Sequence, residues 1–216
     1  MIVAKQGVGP VRREQICQAA ATVISEHGFA GATMRLIAEE AGVSTGMLNH
    51  YFPNRMAMLE ETLVFISRRM HARMAAVIDA AEPGEPRLRA LIRETLPTNP
   101  EMMETWRVWV AAFGASVRYA RLREVIGARD QLWDDLIART LDGLVPAKGE
   151  LTPLVSEFDA LLTGLVIKAI ASQSNLGLDG IEEVLVRSVL RVGGRNVAIK
   201  AGRDRASRLM QPSEGG

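Results

Sequence analysis

The chain has little of several features that usually organise a protein. It contains a single cysteine in 216 residues, Cys17, so no internal disulfide can form and no cysteine–histidine spacing of a metal site is present. Its three histidines are widely separated, and no glycine-rich phosphate loop or nucleophile–histidine–acid spacing accompanies them. We therefore expect no metal, no cofactor and no catalysis, and a helical enzyme stays only as a remote alternative.

Long apolar runs are also missing. No stretch approaches the roughly 18 apolar residues that cross a membrane, and the first residues lack the apolar run of a signal peptide. The net charge is only +1, which excludes a uniformly basic nucleic-acid coat but leaves room for a local basic footprint. These observations predict a cytoplasmic protein with no membrane partner.

What the chain does have is a helical pattern. Hydrophobic residues make up 48% of it and recur at spacings of three and four, interrupted by clusters of glycine and proline. No segment alternates with a period of two, so we predict an all-α fold without a sheet. Cys17 occupies an apolar position of the first helix, which predicts a small core residue. About nine helices are expected, near residues 12–27, 34–41, 45–52, 55–80, 85–96, 101–118, 120–144, 153–174 and 180–192.

Residues 33–55 form the most informative segment, because they predict two short helices joined by a tight turn. Gly42 tolerates the positive φ of such a turn, and Ser44 is a good cap for the helix that follows. Leu48 and Phe52 fall at core positions, and small, hydrogen-bonding and aromatic residues remain for the other faces. Such a helix suits the major groove of DNA, where side chains contact base edges and phosphates. A short polar helix within a bundle is the alternative interpretation.

Residues 16–59 resemble the DNA-binding domain of the TetR family of repressors. The matching residues are Ala19, Ala20, Gly28, Phe29, Thr33, Ile37, Ala38, Ala41, Gly42, Val43, Ser44, Gly46, Tyr51, Phe52 and Leu59. The resemblance implies an N-terminal three-helix helix-turn-helix DNA-binding domain at 1–58, a C-terminal helical ligand-binding and dimerisation domain at 59–195, and a tail at 196–216. It also implies a ligand-responsive transcriptional repressor, a homodimer that binds a double-stranded DNA operator and a small-molecule effector. An activator stays open as an alternative.

The same resemblance assigns the DNA contacts. The implied DNA-binding residues are Thr33, Arg35, Ser44, Thr45, Met47, Asn49, His50, Tyr51 and Arg55. Many family members carry a phosphate-binding tyrosine where this sequence has the shorter Asn49, and a lysine where it has Arg55. Acidic and basic residues are equal in number among the first sixty residues, so the affinity must depend on where these charges lie.

An aromatic stripe lies further along the chain, where Trp106, Trp109 and Phe113 share one helical face. A core stripe and a ligand site both fit this spacing. Residues 104–136 resemble the BetI-type branch of the same family, which responds to choline, and Thr105, Trp106, Trp109 and Ser116 carry that resemblance. Tryptophan faces attract quaternary ammonium groups, so the implied effector is choline or a related compound, and an unrelated hydrophobic effector is the alternative. The candidate ligand-binding residues are Met102, Trp106, Trp109, Phe113, Tyr119 and Trp133.

The helix predicted at 153–174 is apolar on two faces, whereas a helix on the surface of a monomer needs only one buried stripe. The last predicted helix adds another apolar stripe. Together they predict a four-helix interface in a homodimer, and packing of both faces inside one subunit is the alternative. The candidate interface residues are Phe158, Leu161, Leu162, Leu165, Ile181, Val184 and Leu185.

Overall fold

The computed structural model describes residues 8–144, 148–172 and 176–192. Across these ranges the chain forms nine helices and no strand, which confirms the all-α prediction. The predicted tail at 196–216 lies outside the described residues. No helix within the same ranges is long and apolar enough to cross a membrane.

The helix ends agree with the predicted ones to within about one helical turn, except at one helix. The helices are α1 (Val8–Gly31), α2 (Met34–Glu40), α3 (Thr45–Tyr51), α4 (Arg55–Ala80), α5 (Glu85–Thr95), α6 (Pro100–Ser116), α7 (Ala120–Leu141), α8 (Lys148–Ala171) and α9 (178–192). The exception is α8, which begins at Lys148 and not at Pro153 as predicted. Pro153 lies inside the helix, where it removes one backbone donor without ending the helical run.

Three polar side chains begin the helices of the predicted DNA-binding segment. Oγ1 of Thr33, Oγ of Ser44 and Oδ1 of Asn54 each accept a hydrogen bond from the backbone N–H three residues further on, at 3.3, 3.2 and 2.9 Å. Each bond satisfies a donor that the first turn of a helix would otherwise leave unpaired. The cap predicted at Ser44 is confirmed.

The first helix is interrupted at Gly28. Its φ of 66° and ψ of 176° fall in a region that is essentially restricted to glycine. The predicted end of the first helix near residue 27 is confirmed, because the backbone of Gly28 is non-helical. A further turn runs to Gly31, because the N–H of Ala32 donates to the carbonyl of Gly28 at 3.1 Å. This extra turn carries Phe29, which is buried.

The chain divides into two compact units. The first comprises Met1–Met74 with Thr95–Trp133, and the second comprises Ala75–Glu94 with Asp134–Gly216. Both α4 and α7 therefore contribute residues to each unit.

In the first unit α1 packs along α6, and the core draws residues from α1 to α4, α6 and α7. Leu48 and Phe52 thus share a hydrophobic cluster with Val108 and Trp109. The segment expected to bind DNA is stabilised by side chains from far along the sequence. The functional boundary placed between residues 58 and 59 stays a prediction.

In the second unit a shielded carboxylate joins α5 to α9. The side chain of Glu182 is only 9% exposed and accepts hydrogen bonds from Nε of Arg93 at 2.8 Å and Nη1 of Arg89 at 2.9 Å. The hydrogen bond from Arg93, assisted by that from Arg89, lowers the pKa of Glu182 below its ordinary value. A shielded charge paired in this way is costly to leave without its partners.

Candidate functional site

The turn between α2 and α3 has the hydrogen bonding of a glycine-terminated helix. Gly42 has a φ of 62°, and its N–H donates to the carbonyl of Glu39 at 3.1 Å. The N–H of Val43 donates to the carbonyl of Ala38 at 2.9 Å. This pair of bonds closes the end of α2, after which the extended Ser44 starts α3. The predicted positive φ at Gly42 is confirmed.

The short helix α3 is anchored at one point. Leu48 is its only fully buried residue, and Phe52, immediately after it, is also completely buried. The exposed residues of the helix are Thr45, Gly46, Met47, Asn49 and His50. The helix therefore presents small and hydrogen-bonding groups to solvent, which are the groups that direct readout in a major groove uses.

The hydroxyl groups of Thr33 and Ser44 are exposed as well as engaged in helix capping. Each hydroxyl oxygen accepts a backbone hydrogen bond, which leaves its O–H as a donor. A phosphate oxygen can accept from such a hydroxyl at the same time. The capping geometry is therefore compatible with the predicted phosphate contacts.

Two predicted contact arginines have internal partners. Nη1 of the exposed Arg35 lies 2.5 Å from Oε1 of Glu39, one helical turn away. An exposed pair of this kind contributes little to stability, so Arg35 can exchange Glu39 for DNA at small cost. Arg55 donates from Nε to the carbonyl of Ala32 at 2.6 Å and from Nη2 to that of Ala30 at 3.5 Å. Its contact with DNA stays a prediction.

Tyr51 combines packing with partial exposure. The ring packs against the core of the first unit and is half-buried. The ring of His50 meets it edge-on, with centroids 5.5 Å apart and planes at 78°. Truncating Tyr51 would therefore disturb the fold as well as any contact with DNA.

A polar connection between α1 and α6 was not predicted from the sequence. Nε2 of Gln18 donates to Oε1 of Glu104 at 2.9 Å, and the hydroxyl of Thr22 donates to Oε2 of the same carboxylate at 3.2 Å. The available signal is the four-residue spacing of Gln18 and Thr22, which places two polar groups on one side of an apolar helix. Their partner lies too far along the chain for the spacing to indicate it.

The aromatic stripe of α6 is mostly buried. Trp106 donates from Nε1 to the carbonyl of Thr95 at 2.7 Å, and Trp109 belongs to the core that includes Leu48. Trp109 lies beside Phe113, with ring centroids 5.9 Å apart, and its buried Nε1 has no hydrogen-bond partner among the described residues. Of the remaining candidate residues, Met102 is buried, Tyr119 is exposed and Trp133 is half-buried. Their contact with an effector stays a prediction.

The predicted dimer residues fall into two groups. Four are buried within the single chain: Phe158, Leu162, Ile181 and Leu185. Three are half-buried: Leu161, Leu165 and Val184. The second group is the one that a second copy of the chain could reach. The interface itself stays a prediction.

Cys17 is 2% exposed, and burial raises the pKa of its thiol to about 12. The interpretation of Cys17 as a small core residue is therefore confirmed. In the described part of the chain, no three histidine, cysteine, aspartate or glutamate side chains are grouped so that they could hold a metal ion.

Two known families match the chain over most of its length. Residues 16–62 match the bacterial regulatory proteins of the tetR family, and residues 84–193 match the C-terminal domain of BetI-type transcriptional repressors. The chain belongs to the tetR family. It is a DNA-binding transcriptional regulator with a BetI-type C-terminal region, as its sequence predicts.

The curated relatives of this tetR-family regulator are themselves described as BetI transcriptional regulators. The chain is 32% identical over 143 residues to the HTH-type transcriptional regulator BetI of Stenotrophomonas maltophilia, covering 66% of this chain and 73% of the relative. It is 27% identical over 177 residues to the BetI regulator of Proteus mirabilis, covering 81% and 88% of the two chains. These relatives are transcriptional regulators and not enzymes.

A solved structure supports the fold of the tetR-family chain. It is a transcriptional regulator from Saccharomonospora viridis in complex with choline, with a TM-score of 0.73 and 23% sequence identity. The match covers 82% of this chain and 94% of that one. At this level of identity the likeness establishes the shared fold and leaves the ligand of the present chain open.

Proposed function

We propose that the chain is a homodimeric cytoplasmic repressor, not an enzyme, that releases its operator when it binds choline or a related quaternary ammonium compound. The DNA-binding part of this proposal rests on the exposure of α3. Leu48 anchors this helix in the core, and five of its residues face solvent. The effector part is supported by the BetI-type match at residues 84–193 and by the choline complex of the S. viridis relative.

Dimerisation gives the proposal its mechanism. Two copies of α3 can enter successive major grooves only when they lie about 34–36 Å apart, or a multiple of that distance. An effector releases the operator by binding more tightly to a conformation with a different spacing. The half-buried Leu161, Leu165 and Val184 support contact with a second copy, because they are apolar and incompletely covered within one chain.

The chemistry of α6 suits a cationic ligand that carries a hydroxyl group. Tryptophan faces attract quaternary ammonium ions when water is excluded. The unpaired buried N–H of Trp109 is a donor that a ligand hydroxyl could satisfy, and an unsatisfied buried donor costs on the order of 1–3 kcal/mol. These two features support α6 as the effector-binding helix.

The DNA-binding part is tested with an operator selected from a random duplex library. Arg35→Ala and Tyr51→Phe should each weaken binding by about tenfold or less, because one polar contact to DNA is removed. We use Tyr51→Phe and not Tyr51→Ala, because the ring of Tyr51 packs against the core and its removal would disturb the fold. Arg107→Ala, an exposed arginine on α6, is the matched control. Unchanged affinity in both variants would contradict the assignment.

The effector part is tested by adding choline to the protein–operator complex while following tryptophan fluorescence and DNA release. The matched control ligand is 3,3-dimethylbutanol, which has the shape of choline without its charge. We expect release by choline and none by the alcohol, since cation–π attraction requires the charge. Release by neither compound would overturn the effector assignment while leaving the DNA-binding one intact.

The homodimer is tested by analytical ultracentrifugation at micromolar protein. Leu165→Glu should produce monomers, because it places a charge on the half-buried apolar face of α8. Glu157→Lys, an exposed change on the same helix, is the control. A wild-type monomer would contradict the proposal.

A further inference from the structure

One cavity in the first unit is lined by neither tryptophan of α6, although Tyr119, a candidate effector-binding residue, lies on its wall. It has a volume of about 390 Å³, within the size range of small-molecule sites. Its walls come from the end of α1, the start of α4, the end of α6 and the turn that follows. Its lining residues are His27, Gly28, Phe29, Ala30, Arg55, Met56, Leu59, Ala111, Gly114, Ala115, Arg118 and Tyr119.

The cavity is apolar at its base and cationic at its rim. Phe29 and Leu59 are buried, and half-buried methionine and alanine side chains extend the apolar surface. Arg118 and the 51%-exposed Tyr119 are exposed, and Arg55 is half-buried. Such an arrangement matches a ligand with an apolar body and a polar end.

The charges at the rim have one sign. No carboxylate is present among the twelve described residues that line the cavity. The neighbouring groove of about 630 Å³ is different, because glutamates and arginines are present there in equal number: Arg13, Glu14, Glu60, Glu61, Arg68 and Arg121. The charge of the smaller cavity therefore favours a negative ligand, and the balanced charges of the larger groove do not.

Arg55 and Arg118 carry the positive charge of the smaller cavity. His27 is exposed and lies 3.8 Å from Glu26, so an adjacent acid offsets any charge it has. The bonds from Arg55 to the carbonyls of Ala32 and Ala30 hold its guanidinium in place without neutralising it. A planar guanidinium held in this way is suited to a carboxylate.

Gly114 lines the cavity and is itself exposed, which places it near the mouth. It lies on α6, where a glycine destabilises the helix relative to alanine. A Cβ added at Gly114 would meet no atom within 4 Å, so the protein's own packing does not require a glycine. A larger side chain at this position would cover the mouth without straining the fold.

We propose that this cavity binds an amphipathic monocarboxylate, with its apolar body on Phe29 and Leu59 and its carboxylate between Arg55 and Arg118. The ligand has the opposite charge to the proposed effector. The proposal therefore goes beyond choline sensing and does not depend on it.

The experiment uses octanoate as the probe and isothermal titration calorimetry of the full chain. Octylammonium, which has the same tail and the opposite charge, is the matched ligand control. We expect octanoate to bind and octylammonium to bind about tenfold more weakly, because the rim supplies charge-assisted hydrogen bonds only to an anion.

Two variants and two matched controls locate the site. Gly114→Leu should abolish octanoate binding by filling the mouth, and Arg118→Gln should weaken it by about tenfold. Gly127→Leu and Arg107→Gln are the controls, because both positions are exposed, helical and outside the cavity. Both controls should bind octanoate like the wild type.

Equal binding by all four variants, or equal binding of the two ligands, would overturn the proposal. So would loss of operator affinity in Arg118→Gln with unchanged octanoate binding, because Arg118 would then serve the DNA backbone. Choline titrations of the same variants separate the two proposals. Loss of octanoate binding with an unchanged choline response supports a separate site, and so does loss of octanoate binding if the wild type does not respond to choline.

Discussion

The helices α3 and α6 both carry aromatic and polar residues, yet the structure places them differently. Leu48 is the one fully buried residue of α3. In α6 the buried residues include both tryptophans: Met102, Trp106, Val108, Trp109 and Ala112. The side chains of α3 therefore mostly face solvent, whereas the aromatic side chains of α6 form part of a core.

This contrast explains why one function is easier to infer than the other. A helix with a single anchor exposes its side chains, so its sequence directly indicates the surface that a partner meets. In α6 each buried tryptophan already contributes to packing, and any binding role is added to that structural one. The difference can be measured by separating stability from ligand affinity.

The largest expected effect concerns Trp109. Trp109→Ala should destabilise the protein by about 3–5 kcal/mol, because it leaves a cavity in the core that α6 shares with the DNA-binding helices. Urea unfolding followed by circular dichroism measures the loss. Tyr119→Ala is the matched control, since that ring is half exposed and should cost little. A loss below about 1 kcal/mol in Trp109→Ala would remove the contrast.

For Asn49 on α3 we expect the opposite result, a loss of operator affinity without a loss of stability. Asn49→Ala should weaken operator binding by about 1–3 kcal/mol, the range for one good polar contact to a base. Its unfolding free energy should change by less than about 0.5 kcal/mol, because Asn49 is exposed. Fluorescence anisotropy and urea unfolding give the two values, with the exposed Gln131→Ala on α7 as control. A stability loss equal to the binding loss would count against a contact role.

Two ion pairs show the same contrast between a shielded and an exposed side chain. Glu182 is shielded between Arg93 and Arg89, whereas Glu39 forms an exposed pair with Arg35. Glu182→Gln should reduce stability by about 1.5–3 kcal/mol, the range for hydrogen bonds to charged groups. Glu39→Gln should leave stability unchanged and strengthen operator binding, because Arg35 no longer has a competing partner. Similar stability losses in the two variants would contradict this distinction.

The pH dependence of this effect follows from the pKa of Glu182, which the hydrogen bond from Arg93 lowers. The folded state holds the carboxylate ionised more strongly than the unfolded state does. The resulting stability is complete above about pH 4.3 and is lost as the pH falls through the lower folded pKa. Wild type and Glu182→Gln should therefore converge in stability on acidification. A constant difference between them would contradict the assignment.

Local structure was largely predictable because it depends on near neighbours. The caps Thr33, Ser44 and Asn54 act three residues away, and Gly42 acts within its own turn. Such interactions are visible as spacings in the sequence. The start of α8 before Pro153 was missed, because a proline weakens a helix without always ending it.

Long-range pairing could not be predicted. Nothing in the sequence connects Gln18 with Glu104, or Arg93 with Glu182, because both pairs depend on how distant helices pack. The two apolar faces of α8 were visible, but not which of them the single chain covers. Phe158 and Leu162 are buried internally, and Leu161 and Leu165 are half-buried.

The smallest expected effect concerns Ser44, which caps α3 and is also a predicted phosphate contact. Ser44→Ala should cost about 1 kcal/mol of stability, because α3 loses its N-cap. Ser44→Asp keeps a capping oxygen but brings a negative charge to the predicted phosphate contact. It should therefore retain stability and lose operator affinity, which urea unfolding and anisotropy measure side by side. If the aspartate variant binds the operator as well as the wild type, Ser44 caps the helix without approaching a phosphate.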